Sequence, residues 1–190
     1  GKLFSFDLHI ERLIEGTKIL GIPFKIKKSY LLNCIDKLLQ LNNLMDKDAY
    51  VRLTVTRGRD YGGLIPNKPL KPTITIIARP LDNKIKRYQQ KGITAIFLDS
   101  KRNLPNIKSL NLLTRVMGLT EAIHRNTQEG IFTDRNKVLE GTITNIFISD
   151  GNKIKTPPIR DGILPGITRR LVMELAKMEG IKVSESSITK

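Results

Sequence analysis

The sequence predicts an α+β fold with a small first part and a larger second part. Apolar residues first recur at helical spacing, and from Ala49 they alternate with polar residues as in strands. A polar, basic stretch at 81–92 then precedes a second series of short strands and helices. Because 190 residues suffice for two small cores, we expect a small α+β domain over 1–80, a linker over 81–92 and a second domain over 93–190.

In the first part, the spacing of leucine and isoleucine predicts a helix over 7–20, and Gly21 is a suitable residue to end it. A second helix is expected to start at Ser29. Alternation over 50–56 and 73–77 predicts two strands. The segment between these strands is predicted to be a long hairpin loop because it is rich in turn residues: Gly58, Gly62, Gly63 and Pro66.

The second part mixes strands with helices. The helices are expected over 111–125 and from Pro165 to Met178, with Gly180 as the stop signal. The expected strands are 94–98, 130–133, 142–149, 153–156 and 181–184. The sequence contains no internal repeat.

Composition excludes several classes of protein. The low aromatic content of 5% and the absence of Trp argue against a stacking platform for single-stranded nucleic acid. The single cysteine, Cys34, cannot form an internal disulfide and fits a reducing compartment. No apolar run approaches the roughly 20 residues of a membrane span, and the start does not resemble a signal peptide. We therefore expect a cytoplasmic protein.

The net charge of +15 leaves more than one interpretation open. A diffuse basic excess favours anionic ligands in general. It is equally compatible with a solvated basic surface. A basic nucleic-acid-binding module is an alternative, and it predicts an affinity that falls steeply with salt.

Four short motifs carry the functional prediction: His9-Ile-Glu-Arg-Leu13, Lys108-Ser-Leu-Asn111, Glu140-Gly-Thr-Ile-Thr-Asn145 and Gly166-Ile-Thr-Arg169. In this order and at this spacing, they resemble the fold-type IV, or class IV, family of pyridoxal-phosphate-dependent aminotransferases. That family includes the branched-chain and D-amino-acid aminotransferases and aminodeoxychorismate lyase. The resemblance extends from Leu3 to Thr189.

Lys108 is the candidate catalytic residue. An ordinary lysine, with a pKa of about 10.4, is almost fully protonated at neutral pH and is a poor nucleophile. Burial in an apolar pocket or a nearby cation would free its lone pair, and Ile107, Leu110, Leu112 and Arg102 or Arg12 are candidates for such neighbours. The resemblance implies that Lys108 forms the Schiff base with the cofactor and then moves a proton between the substrate α-carbon and the imine carbon.

Glu140 is the candidate partner of the cofactor ring. A carboxylate beside the pyridine nitrogen keeps that nitrogen protonated, so that the ring can accept electrons from a carbanion. The resemblance assigns this role to Glu140, which is expected at the start of a strand. Thr144 and Asn145 are predicted to bind the cofactor in the same region, and Thr142 is predicted to contact the substrate.

A phosphate site is predicted at the start of the last helix. The free N–H groups and the positive end of a helix N-terminus bind anions, and Ile167 and Thr168 occupy this position. The resemblance adds Arg12, whose guanidinium suits a charge-assisted contact with the phosphate of the cofactor. His9 is expected to support the site, and no metal site is expected.

Substrate selection is expected in the loop at 57–64. Arg59 or Tyr61 could bind a substrate carboxylate, although a solvated hairpin tip explains the same residues. The loop lacks the Arg-x-His pair that is typical of D-amino-acid enzymes, whereas Lys108-Ser-Leu-Asn-Leu-Leu113 resembles those enzymes. The stereochemical preference therefore stays open.

The resemblance implies a two-domain fold-type IV enzyme with pyridoxal 5′-phosphate in the cleft. We expect transfer of an amino group between an amino acid, branched-chain-like or D-configured, and a 2-oxo acid. Aminodeoxychorismate lyase chemistry is the alternative, and a degenerate member that binds cofactor without turnover is a third possibility. The expected partners are these small molecules and a second copy in a homodimer, with neither nucleic acid nor membrane. Family members extend beyond positions 1 and 190.

Overall fold

The computed structural model describes residues 2–60, 62, 64–66 and 70–190, and the contacts of the chain group it into two units. The first unit is Gly1–Arg87 and the second is Tyr88–Lys190. The division falls inside a helix, α3 (Lys84–Lys91), which occupies most of the 81–92 stretch expected as a linker. The predicted domain boundaries remain a proposal.

The first unit contains two helices and one β-hairpin. Helices α1 (Phe6–Ile19) and α2 (Lys28–Leu41) precede the antiparallel strands β1 (Ala49–Thr56) and β2 (Thr73–Pro80). The predicted helices and the predicted hairpin are therefore confirmed. The buried apolar side chains of this unit are Ile10, Phe24, Leu31, Ile35, Leu44 and Ala78.

Helix α1 ends where the sequence predicts. Gly21 has a φ of +64°, a left-handed conformation that glycine adopts without steric cost. Its N–H donates to the carbonyl of Lys18, and the N–H of Ile22 donates to the carbonyl of Thr17. This is the Schellman pattern, which satisfies carbonyls that the helix leaves unpaired.

The second unit carries two sheets. The first contains β3 (Ala95–Asp99), β4 (Glu129–Asp134), β5 (Lys137–Gly141) and β9 (Ile188–Thr189), in that order. Strands β3 and β4 are parallel, and the other neighbours are antiparallel. The second sheet contains β6 (Ile148–Ser149), β7 (Lys153–Thr156) and β8 (Lys182–Glu185). The helices of this unit are α4 (Leu113–His124) and α5 (Ile167–Met178).

One predicted strand is wrong in an informative way. Residues 142–147, expected to begin a strand, lie outside the regular strands, and only Ile148–Ser149 is extended. The preceding residues instead form β5, so that Glu140 lies near the end of a strand and not at its start. The reason is a tight turn: the N–H of Gly141 donates to the carbonyl of Thr144 at 2.8 Å, which folds the chain back.

Helix α4 packs closely against the first sheet. The apolar core of this unit centres on Phe132, Leu139 and Ile163, which are at most 1% exposed. A Cβ on Gly118 of α4 would lie 2.9 Å from a ring carbon of Phe132, so the helix is as close to the sheet as a glycine permits.

Within the described part of the chain, no helix is long and apolar enough to cross a bilayer.

Candidate active site

A buried ion pair joins Arg102 to Glu140 in the second unit. Nη1 of Arg102 donates to Oε1 of Glu140 at 3.0 Å, and the two side chains are only 5% and 4% exposed. Burying two charges is costly unless both are paired and hydrogen-bonded. The pair therefore fixes the position of both groups, because any displacement leaves a charge without its partner in a region that excludes water.

The same guanidinium also holds the segment that leads to Lys108. Nη2 of Arg102 donates to the carbonyl of Ile107 at 2.7 Å and approaches the carbonyl of Leu104 at 3.4 Å. Ile107 is buried, with 5% exposure. The planar guanidinium of Arg102 thus links the carboxylate of Glu140 to Ile107, the residue immediately before Lys108.

Lys108 itself is exposed. Of its candidate apolar neighbours, Leu110 and Leu112 are 58% and 40% exposed, so they do not enclose its side chain in the described chain. Lys108 lies in the irregular segment between β3 and α4, in which Arg102 and Ile107 are the buried residues among those described. The segment therefore presents the lysine on an anchored backbone.

Leu164 ties Glu140 to the segment that leads into α5. Its N–H donates to Oε2 of Glu140 at 3.0 Å, and its carbonyl accepts from Nδ2 of Asn145 at 3.0 Å. Glu140 and Asn145 also face each other in an isolated antiparallel bridge. The ends of the Glu140–Asn145 turn therefore bind the same residue, and the two predicted cofactor-binding side chains lie next to each other.

The start of α5 presents a glycine followed by free helical N–H groups. Gly166 is the N-cap and has no side-chain cap in the described structure. A Cβ at Gly166 would lie 2.0 Å from Oδ1 of Asn145, so a side chain cannot be added without displacing that asparagine. Ile167 is buried and Thr168 is exposed. The first N–H groups of a helix have no carbonyl partner within it, so this end is suited to an anion.

Thr142 and Thr144 differ in accessibility. Thr142 is fully buried, and its hydroxyl donates to Glu129. The chain encloses this side chain in the structure, and the predicted substrate contact of Thr142 stays a prediction. Thr144 is exposed, and its hydroxyl donates to the other oxygen of Glu129 at 3.2 Å.

Arg115 adds a second cation to this region. Its Nε donates to the carbonyl of Thr142. Burial lowers the pKa of Arg115 below its ordinary value and the charge of Arg102 lowers it further, whereas Glu140 and Glu129 act in the opposite direction. The four charged groups therefore form one cluster of two arginines and two glutamates with no net charge.

The remaining predicted site residues belong to the first unit. Arg12 is half-buried on α1, and burial lowers the pKa of its guanidinium. His9 and Arg59 are exposed. Tyr61 lies outside the described residues. Their predicted roles at a shared site remain proposals.

Three residues of the charged cluster gave little signal in the sequence. In the sequence, Arg102 is only a candidate neighbour of Lys108, and Glu129 and Arg115 lie outside the four motifs. Glu129 precedes the apolar run of β4 and resembles a turn residue, yet it is 5% exposed. Its partners lie up to 15 positions away, so only the fold reveals it.

Comparison with known proteins places these motifs in a family. Residues 1–190 match the family model described as amino-transferase class IV. A protein of Methanocaldococcus jannaschii, provisionally named branched-chain-amino-acid aminotransferase, is 40% identical over the whole chain and 66% of its own length. Aminodeoxychorismate lyase of Bacillus subtilis is 35% identical over 95% of the chain and 62% of its own length. D-alanine aminotransferase of Bacillus licheniformis is 35% identical over the whole chain and 66% of its own length.

Solved structures agree with this result. The branched-chain aminotransferase of Thermoproteus uzoniensis, solved with norvaline, superposes with a TM-score of 0.88 at 29% identity, over 98% of this chain and 64% of that one. The chain spans slightly less than two thirds of the length of the curated relatives reported above. The predicted family resemblance and the α+β fold-type IV architecture are confirmed, and at the level of the family so is pyridoxal phosphate as cofactor.

The Arg102–Glu140 pair can be tested by a double-mutant cycle. Arg102→Met and Glu140→Leu should each lower the free energy of unfolding by about 3–5 kcal/mol, because each leaves a buried charge unpaired. The double variant should lose less than the sum, with a coupling energy between about 0.5 and 3 kcal/mol. Urea denaturation of the four proteins measures this coupling.

The exposed pair Arg125–Glu121, with side chains 64% and 42% exposed, supplies a matched control cycle. Its coupling energy should not exceed about 0.5 kcal/mol, since water screens the charges. Strictly additive losses in the Arg102–Glu140 cycle would contradict a direct buried interaction.

Proposed function

Because the chain belongs to the class IV aminotransferase family, we propose that the protein is a pyridoxal-phosphate-dependent aminotransferase. It moves an amino group between an amino acid and a 2-oxo acid. The observation that carries the proposal is the guanidinium of Arg102, which binds both Glu140 and the carbonyl beside Lys108. The two residues that the chemistry requires are therefore held by one buried group.

The residues present fit the cofactor. The carboxylate of Glu140 is anchored at both oxygens, by Arg102 and by the N–H of Leu164, so its orientation toward a ring nitrogen would be fixed before binding. When bound, pyridoxal phosphate supplies an electron-withdrawing ring that stabilises negative charge at the substrate α-carbon. Glu140 would hold the proton at the ring nitrogen, which is the condition for that stabilisation.

Lys108 would have two tasks. Its Nζ would be the group that holds the cofactor covalently. As a free amine, the same Nζ would remove the proton from the substrate α-carbon as a general base. The contact of Ile107 supports both tasks, because it fixes the backbone from which the Lys108 side chain extends.

The phosphate group would bind at the start of α5. The N–H groups of Ile167 and Thr168 would donate to its oxygens, and the helix dipole would favour its charge. Gly166 keeps this approach free of a side chain. The contribution of Arg12 from the first unit is part of the proposal and rests on the family motif.

The substrate is proposed at the level of its class. The similarity to a branched-chain and to a D-alanine aminotransferase supports an amino donor of either type. Arg59 and Tyr61 are proposed to bind the substrate carboxylate. Homodimerisation and a cytoplasmic location, both expected from the sequence, are part of the same proposal.

Replacement of Lys108 tests the proposed function most simply. Lys108→Ala in the full-length protein should abolish the visible absorption that pyridoxal phosphate confers and lower kcat by at least about 10²–10⁴-fold, because both the attachment point and the general base are removed. Lys101→Ala is the matched control, since Lys101 lies in the same connection but is an exposed partner of Asp134. Full activity and absorption in Lys108→Ala would contradict the proposal.

Lyase chemistry on aminodeoxychorismate is the second candidate, and the similarity to the Bacillus subtilis enzyme favours it. The two candidates differ in their need for an acceptor. An aminotransferase should turn over repeatedly only when a 2-oxo acid is added, and it keeps the carbon skeleton of the donor intact, so we expect no pyruvate from aminodeoxychorismate alone. Stoichiometric pyruvate release without an acceptor would replace the first candidate by the second.

A further inference from the structure

Glu129 is a buried carboxylate that the proposed chemistry does not use. It is the first residue of β4 and is 5% exposed. Its Oε1 accepts from the N–H groups of Gly130 at 3.0 Å and Thr142 at 3.1 Å, and also from the hydroxyl of Thr142. Its Oε2 accepts from the hydroxyl of Thr144 at 3.2 Å. All four donors are neutral, and three of them belong to the turn that follows Glu140.

The turn is closed tightly around this carboxylate. A Cβ at Gly141 would lie 2.1 Å from Oγ1 of Thr144 and 3.1 Å from Oε2 of Glu129. Glycine is therefore the residue that lets the turn contact the carboxylate. Since the turn connects Glu140 with Asn145, a change in its shape would be transmitted to both residues that bind Leu164.

The peptide groups of Thr142 are held from two directions. Glu129 accepts from its N–H and its hydroxyl, whereas Nε of Arg115 donates to its carbonyl. An anion and a cation thus act on neighbouring peptide units, which fixes the orientation of the turn as well as its position. Hydrogen bonds to charged groups are stronger than those between neutral groups.

The contact with Thr144 also determines which hydrogen-bonding groups its hydroxyl can offer to a ligand. A hydroxyl has one proton and two lone pairs. Because the proton of Thr144 is directed to Glu129, the oxygen can offer only lone pairs to a ligand. Toward a ligand, the hydroxyl of Thr144, an exposed residue, can therefore act only as a hydrogen-bond acceptor.

We propose that Glu129 is a positioning residue for the transamination site, which orients the Thr142–Thr144 turn and makes Thr144 an obligate acceptor toward the bound cofactor or substrate. The proposal rests on the proposed function for its ligand. The structural part of the proposal is that Glu129 orients the turn, and this part applies equally to the protein without cofactor.

Glu129→Gln removes the negative charge and replaces one acceptor oxygen by a donor, while it keeps the size of the side chain. Its oxygen can keep the three donors now at Oε1, but its amide would donate to Thr144, so the proton of that hydroxyl would turn outward. We expect kcat to fall about 10- to 100-fold with KM changed less than about threefold, because misplacement of a site affects the transition state most. The pH midpoint of the visible absorption should shift as well.

Two further variants make the test specific. Thr144→Val removes the hydroxyl, so Glu129→Gln combined with Thr144→Val should be no slower than Thr144→Val alone. Glu121→Gln, an exposed carboxamide substitution on α4, is the matched control and should leave kcat and absorption unchanged.

Hydrogen exchange gives a readout without cofactor. In the apoprotein, amides 141–145 should exchange at least about tenfold faster in Glu129→Gln than in wild type or Glu121→Gln, since the turn loses its charged acceptor. The proposal would be overturned if Glu129→Gln showed the same amide exchange, kcat and absorption as the wild type. If Glu129→Gln does not fold, the proposal would be overturned by a Thr144→Val variant with wild-type kcat and absorption. A wild-type protein that takes up no pyridoxal phosphate would overturn the proposed function instead. Faster amide exchange in Glu129→Gln would still support the conclusion that Glu129 orients the turn.

Discussion

The guanidinium of Arg102 is the group on which the candidate site depends. It lies in the interior and donates to two acceptors that are far apart in the sequence, the carboxylate of Glu140 and the carbonyl of Ile107. An arginine can do this because its planar fork carries several donors in fixed directions, which a lysine lacks. The backbone beside Lys108 and the carboxylate proposed to face the cofactor ring are thereby parts of one rigid arrangement.

Around this pair, polar contacts join the same segments that the apolar core packs together, since Glu140 and Leu164 directly follow the core residues Leu139 and Ile163. The core of the second unit is small, with Phe132, Leu139 and Ile163 at its centre. Leu164 binds both ends of the turn that begins at Glu140, and Glu129 holds the middle of that turn. Because buried polar groups are costly when unsatisfied, these contacts specify one arrangement. The same contacts that stabilise the unit therefore also shape the site.

The sequence predicted the regular elements well and the polar interior poorly. Helices and the hairpin follow from apolar periodicity and from stop residues such as Gly21, which are local signals. The residues of the motif around Glu140 lie close together in the structure, but the predicted local structure is wrong, because a turn closed by Glu129 replaces the expected strand. Arg102 and Glu140 are 38 positions apart, and no local pattern in the sequence predicts that these two charges are buried together.

Peptide mapping of the cofactor-loaded, full-length protein after borohydride reduction tests the central claim most directly. Reduction makes the bond between the cofactor and its lysine permanent, so digestion and mass spectrometry locate it. The account predicts one modified site, Nζ of Lys108. A cofactor mass on another lysine, such as Lys101 or Lys155, or an unmodified Lys108 in a protein that has taken up cofactor, would contradict it.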